Sequence, residues 1–260
     1  MKKTKKLLIA LSVFVLVFAV FGITLNSLQD YQAQRQFAEL TQQMEQTESD
    51  TGEDVQLPAP LFTSTTNEPV MLPEFQALYE RNPDIVGWLT IANTRIDYPV
   101  MQNSQDGEYY LHRDFDQQES KNGLPFLDAQ NRIDESDILL LHGHNMKSGL
   151  MFADLLQYKK ESFYKEHPTV QFNTLYEKAE YDIVAVILSE VYRKSDDVFK
   201  YYQVKQADSP AKFDSYVENI KKLALYDTGV TAQYGDQLIV LSTCEYSSEN
   251  GRLAVVARKR

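Results

Sequence analysis

Residues 236–260 read DQLIVLSTCEYSSENGRLAVVARKR. Two apolar, β-branched runs, 238–241 and 253–256, flank a polar stretch at 245–251, and this spacing predicts strand, loop, strand. Cys244 closes the first strand and Arg252 opens the second. If the two strands lie side by side, a thiol and a guanidinium emerge at the same end of one sheet. Cys244 is also the only cysteine among 260 residues, so it has no intrachain disulfide partner. A solitary cysteine is otherwise read as a small buried hydrophobe, but its place at a strand end favours a reactive thiol.

Upstream of this pair, Ser209-Pro210 reads as a helix start with proline in the first turn. Phe213, Tyr216, Ile220 and Leu223 then fall on one face of a helix over 209–225. Strands are expected at 85–91, 96–101, 124–127, 137–142, 169–175 and 179–191, with Pro99 pushing the second toward a sheet edge. Short helices are expected at 73–81, around 108–111 and at 152–158. About eight strands with only short helices between them predict a mostly β fold, a barrel or a sandwich.

The beginning of the chain has a different composition. Lys2, Lys3, Lys5 and Lys6 precede an uncharged apolar run at 7–25, ~28 Å of helix at ~1.5 Å per residue, against a bilayer core of ~30 Å. A cleavable signal peptide is the competing reading, with Val20-Phe21-Gly22 as its cleavage site. An uncleaved anchor is favoured, with residues 1–6 cytoplasmic by the positive-inside rule and the rest exported. Residues 26–47 are polar and glutamine-rich and offer little to pack. Residues 48–69 carry the composition of an extended tether, so 26–70 is assigned as linker and 71–260 as the folded domain. Setting aside the four lysines of the first segment leaves 22 basic against 37 acidic residues, a net charge of −15. That balance argues against a nucleic-acid partner.

A thiolate nucleophile needs a proton carrier and a donor for the charge that develops on a carbonyl oxygen. Of the four histidines, His112 and His167 sit among charged, loop-like neighbours and are assigned to the surface. His142 and His144 flank Gly143 where a leucine-rich strand leaves the core. Arg252 keeps its charge and offers five donors, enough to hold a carbonyl and support an oxyanion. Two readings from other classes stay open: a metal site built from His142, His144 and Cys244, and a tethered binding module without catalysis.

Gly-His-Asn-Met at 143–146, Leu-Ser-Thr-Cys at 241–244 and Asn-Gly-Arg at 250–252, in this order after the apolar leader, resemble a sortase of class B. Sortases are the cysteine transpeptidases of Gram-positive cell surfaces. The resemblance covers 71–260 and implies an eight-stranded sortase-type β-barrel with an N-terminal helix and a helix before the Cys strand. It implies that Cys244 attacks the carbonyl of a Thr in a C-terminal sorting signal, that His144 carries the proton, and that Arg252 supports the oxyanion. Ser242, Thr243 and Glu245 are expected to bind substrate. The partners implied are surface proteins bearing such a signal, an amine of a peptidoglycan precursor or a pilin as acceptor, and the membrane through the first helix. No cofactor or metal is expected. An envelope cysteine peptidase, passing the acyl group to water, is the nearest alternative. His142 stands where family members often carry an aromatic residue, and the resemblance gives it no role.

Overall fold

The computed structural model describes residues 2–51 and 69–260. The described chain divides after residue 39 into two compact units, each taken here by itself. Helix α1 (Lys2–Thr51) provides the first. It holds an apolar stretch within Phe14–Thr47, of mean hydropathy 1.4, that is able to cross a membrane by length and composition. Along it Phe14, Leu16 and Phe18 are all exposed. The helix runs well past the expected apolar segment, through residues expected to be linker. In the second unit its late residue Leu40 is fully buried, and Thr41 Oγ1 donates to Asp97. The tether expected at 48–69 lies almost wholly outside the described residues.

The second unit is built on a closed barrel. In chain order the strands are β1 (Ile85–Thr90), β2 (Asp97–Met101), β3 (Phe126–Leu127), β4 (Ile138–His142), β5 (Thr169–Thr174), β6 (Glu180–Glu190), β7 (Leu238–Cys244) and β8 (Gly251–Lys259). Around the barrel they stand β1-β2-β3-β4-β7-β8-β6-β5, closing back on β1. The β2–β3 and β4–β7 pairs are parallel and the rest antiparallel. Closure leaves no free sheet edge, which is how an all-β domain protects its unpaired backbone groups. Pro99 nevertheless sits without a β3 partner, because β2 and β3 meet only at Met101 and Phe126. The barrel therefore tolerates the missing N–H at a locally open position. β6, the longest strand, is irregular in its pairing with β8 between Ile183 and Ala185, a bend that lets it pair with β5 at one end and β8 along its length.

Alternation sorts the residues of β4, β7 and β8 into two sets. Leu139, Leu141, Ile239, Leu241, Leu253 and Val255 point to one side and are fully buried. Ile138, Leu140, Leu238, Val240, Ala254 and Val256 point to the other and form one apolar cluster with Phe213, Tyr216, Val217 and Ile220. These last four are the buried face of α4 (Pro210–Leu223), whose start is capped by the Ser209 side chain accepting from Lys212 N. Burying each is worth about 1.5–3 kcal/mol. α2 (Pro73–Arg81) and α3 (Glu161–Glu166) complete the helices, with 3-10 turns at Tyr109–His112, Phe152–Lys159 and Tyr201–Gln203.

Candidate active site

The side of the sheet that α4 covers continues beyond the helix, and there it turns polar. On β7 the alternation Leu238, Val240 leads to Ser242 and Cys244. On β8 the same face carries Arg252. Cys244 and Arg252 are register partners in the antiparallel ladder, so their Cβ atoms stand ~4.5–5.5 Å apart on one face. His142, the end of β4, pairs with Ser242. A groove of about 560 Å³ opens over this polar patch, with Cys244, Arg252, His142 and His144 all in its wall. Glu108, Leu111, Tyr201 and Tyr202 also line it.

β4 and β7 run in parallel, so both leave the barrel at the same rim, and the loop after β4 is tied to the end of β7 by two side chains. Thr243 Oγ1 donates to the Gly143 carbonyl at 2.7 Å, and Asn145 Nδ2 donates to the Cys244 carbonyl at 3.0 Å. Gly143 is required between the two histidines: a Cβ there would stand 2.7 Å from the Phe152 ring. On the other side, Asn250 takes a left-handed φ of 64° to turn the chain into β8, a conformation asparagine tolerates better than most residues.

His144 Nε2 lies 2.9 Å from the Leu111 carbonyl. A carbonyl only accepts, so Nε2 carries the hydrogen and Nδ1 of the neutral ring keeps its lone pair. Burial lowers the imidazole pKa against the pull of that bond, and the His112 ring, its centroid 5.6 Å away, lowers it further. His144 is thereby held neutral at physiological pH. Arg252 Nη1 donates to the Gly251 carbonyl at 2.9 Å, and among the described residues no carboxylate pairs with the guanidinium. Its positive charge is left for a ligand in the groove.

Of the three residues expected to bind substrate, two line the groove with their hydroxyls engaged and the third is outside its lining. Ser242 and Thr243 line the groove, but the Ser242 hydroxyl shares a hydrogen bond of 2.7 Å with Tyr201, and that of Thr243 is spent on Gly143. Glu245 is turned away from the groove. Its carboxylate bonds Lys159 and Ser247, which lower its pKa to about 2, and it fastens the 245–250 loop to the turn Phe152–Lys159. The zinc-triad alternative is not assembled: the His142 ring turns to Asp128 and that of His144 to Leu111, and no metal-binding cluster of three His, Cys, Asp or Glu side chains forms among the described residues. Asn145, Leu111, Tyr201 and Asp128 were not singled out in the sequence. Asn145 lies inside the Gly-His-Asn-Met run and could have been found there. The Leu111 carbonyl belongs to the backbone and leaves no residue-type signal.

Comparison with known proteins gives a consistent result. A family model described as the sortase domain matches residues 89–260. The chain is similar to Sortase B of Listeria monocytogenes, 36% identical over 187 residues that cover 70% of this chain and 72% of the relative. It is similar in structure to the Staphylococcus aureus sortase B–substrate complex, with a TM-score of 0.74 and 25% identity over 90% of this chain and 98% of that one. It also resembles a sortase B complexed with triglycine, with a TM-score of 0.73 and 25% identity over 89% of this chain and 98% of that one.

Proposed function

The chain belongs to the sortase family, class B, whose members are cysteine transpeptidases, and from that premise we propose that Cys244, His144 and Arg252 carry its chemistry on a membrane-anchored enzyme. The observation that carries this reading is the register pair Cys244 and Arg252, on one face, in one groove with His144.

The Cys244 thiolate attacks the carbonyl carbon of a Thr in a C-terminal sorting signal. Charge moves onto the carbonyl oxygen, where the unpaired guanidinium of Arg252 stabilises it. Nδ1 of His144, the nitrogen left free by the Leu111 bond, takes the thiol proton and delivers it to the departing amine. The C–N bond breaks and a thioester remains on Cys244. An incoming amine attacks that thioester, His144 accepts a proton from the adduct, and the C–S bond breaks to restore the thiolate. A sortase B solved with triglycine supports an amine-bearing peptide as acceptor, and one solved with its substrate supports a peptide signal in the groove.

Residues 7–25 serve as the membrane anchor with residues 1–6 in the cytoplasm, residues 26–70 as the connection, of which Leu40 and Thr41 already pack with the domain, and residues 71–260 as the exported catalytic domain. Four lysines ahead of an exposed apolar helix support this topology. The acceptor is an amine of the cell wall, such as that of a peptidoglycan precursor.

Intact-mass spectrometry of the enzyme incubated with sorting-signal peptides tests the proposal. The wild type gains the mass of the acyl fragment and Cys244→Ala gains none. An acyl adduct on the Cys244→Ala protein, or hydrolysis by it at the wild-type rate, overturns the assignment.

A further inference from the structure

His142 is the one imidazole in the groove wall that the acylation chemistry leaves unused. We propose that His142 and Asp128 form the acceptor-amine subsite of this groove, in which His142 takes the first proton from an incoming primary ammonium ion.

This rests on the transpeptidase reading above and begins with a proton count. An amine reaches the enzyme at neutral pH mostly as ammonium, since a peptide α-amine has a pKa of ~7.7–8.0. It loses one proton before its nitrogen has a lone pair to attack with, and a second from the tetrahedral adduct. His144 has given its proton to the departing amine, so it is free to accept the second. The first needs a different base, placed beside the thioester and open to water.

His142 meets those conditions. Its Nε2 lies 3.3 Å from Asp128 Oδ2, and a carboxylate only accepts, so Nε2 carries the hydrogen and the lone pair of the neutral ring is on Nδ1. The ring packs on Phe126 with centroids 5.3 Å apart, which fixes its plane. It lies beside Ser242, two residues along the same strand face from Cys244, which sets the two Cα atoms ~8 Å apart from a rise of ~3.3 Å per residue and a strand spacing of ~4.8 Å. A small amine fits that gap. The side chain of His142 is 32% exposed, so the proton can pass on to solvent.

Asp128 holds the ring in place and offsets the positive charge that His142 takes up with the proton. Against the upward push of its burial, its bonds to His142 and Lys205 hold its carboxyl well below the usual range. Lys205 Nζ approaches the same oxygen at 3.0 Å, while Oδ1 accepts from Gln130 N. The other charged or titratable groups in the groove wall are Glu108, Tyr201, Tyr202, His144, Cys244 and Arg252. Glu108 adds a second carboxylate to the groove wall.

In the proposed step R–NH3⁺ passes a proton to His142 Nδ1. The free R–NH2 attacks the Cys244 thioester, the adduct gives its second proton to His144, and the C–S bond breaks to leave amide and thiolate. His142 then returns its proton to water.

The test compares two acceptors on the same pre-formed acyl-enzyme. Triglycine is ~90% ammonium at pH 7 by its α-amine pKa. Hydroxylamine is a weak base that is already neutral there. In His142→Phe and in Asp128→Asn the rate ratio of triglycine to hydroxylamine falls about tenfold at pH 7, the deficit set by the ~10% of triglycine that is neutral without help. The deficit disappears at ~pH 9, where the amine needs no base. Because the readout is a ratio within one protein, damage to acylation or folding cancels. An unchanged ratio in both variants overturns the proposal, as does a wild type that accepts hydroxylamine but not triglycine at any pH. A wild type that forms no acyl-enzyme at all refutes the transpeptidase assignment instead.

Discussion

Thr243→Val isolates the bond that aligns the two halves of the candidate site. Threonine and valine have nearly the same shape, so the substitution removes one donor and little packing. The lost bond is short, 2.7 Å, and its residue is 2% exposed. Leaving the Gly143 carbonyl without that donor costs about 1–3 kcal/mol. For a domain near this size each kcal/mol lowers Tm by ~2–4 °C, so a fall of roughly 2–12 °C is expected. The effect on turnover is larger in proportion. Gly143 is followed at once by His144, and a displacement of about 1 Å between a catalytic group and its target can cost ~10²-fold. Asn145→Ala removes the second tie, from Nδ2 to the Cys244 carbonyl, and should act in the same direction. Because both bonds hold the same two segments, the double variant should lose less than the product of the single losses. The assays are thermal unfolding and kcat for a fluorescence-quenched signal peptide, measured well below Tm. A lowered Tm with unchanged kcat in Thr243→Val would refute the idea that these bonds align His144 with Cys244.

Two further substitutions probe charge. Arg252→Ala should lower kcat for acylation by ~10²–10³-fold, the usual loss of an oxyanion donor, and Arg252→Lys should recover only part of it because an ammonium group has no fork. A loss under about threefold in the alanine variant would remove Arg252 from the mechanism. Glu245→Gln should cost about 1–2 kcal/mol at neutral pH by weakening the bonds to Lys159 and Ser247. Since the folded pKa of Glu245 is depressed to about 2, its contribution is full above its unfolded value of ~4.3 and is lost as pH falls toward 2. The variant and wild type should therefore converge in stability across that acid window, which urea titration at a series of pH values measures. A constant gap would mean the carboxylate does not titrate with folding.

The sequence carried the barrel's most regular parts. Alternation and β-branching marked β7 and β8, and the apolar spacing of Phe213, Tyr216 and Ile220 marked α4, because burial on one face leaves a periodic trace. β3 shrank to Phe126–Leu127, since Leu124 and Pro125 are buried without joining the ladder. Residue type also pointed to Cys244, His144 and Arg252. It could not indicate that His112, exposed and 32 positions earlier, rests its ring beside His144, because that contact is made by a loop crossing the groove. The partner of Glu245 was hidden for a related reason: Lys159, which its carboxylate bonds, lies 86 residues away.

The position of β8 bears on when activity can first arise. It is the final strand in sequence order, yet it is inserted between β7 and β6 and carries Arg252 opposite Cys244. While the polypeptide is still being synthesised, every earlier strand can be present and the wall still have a gap there. A nascent chain in that condition has a thiol but no opposing guanidinium, so under the proposed mechanism its competence to react is withheld until the last seam has zipped.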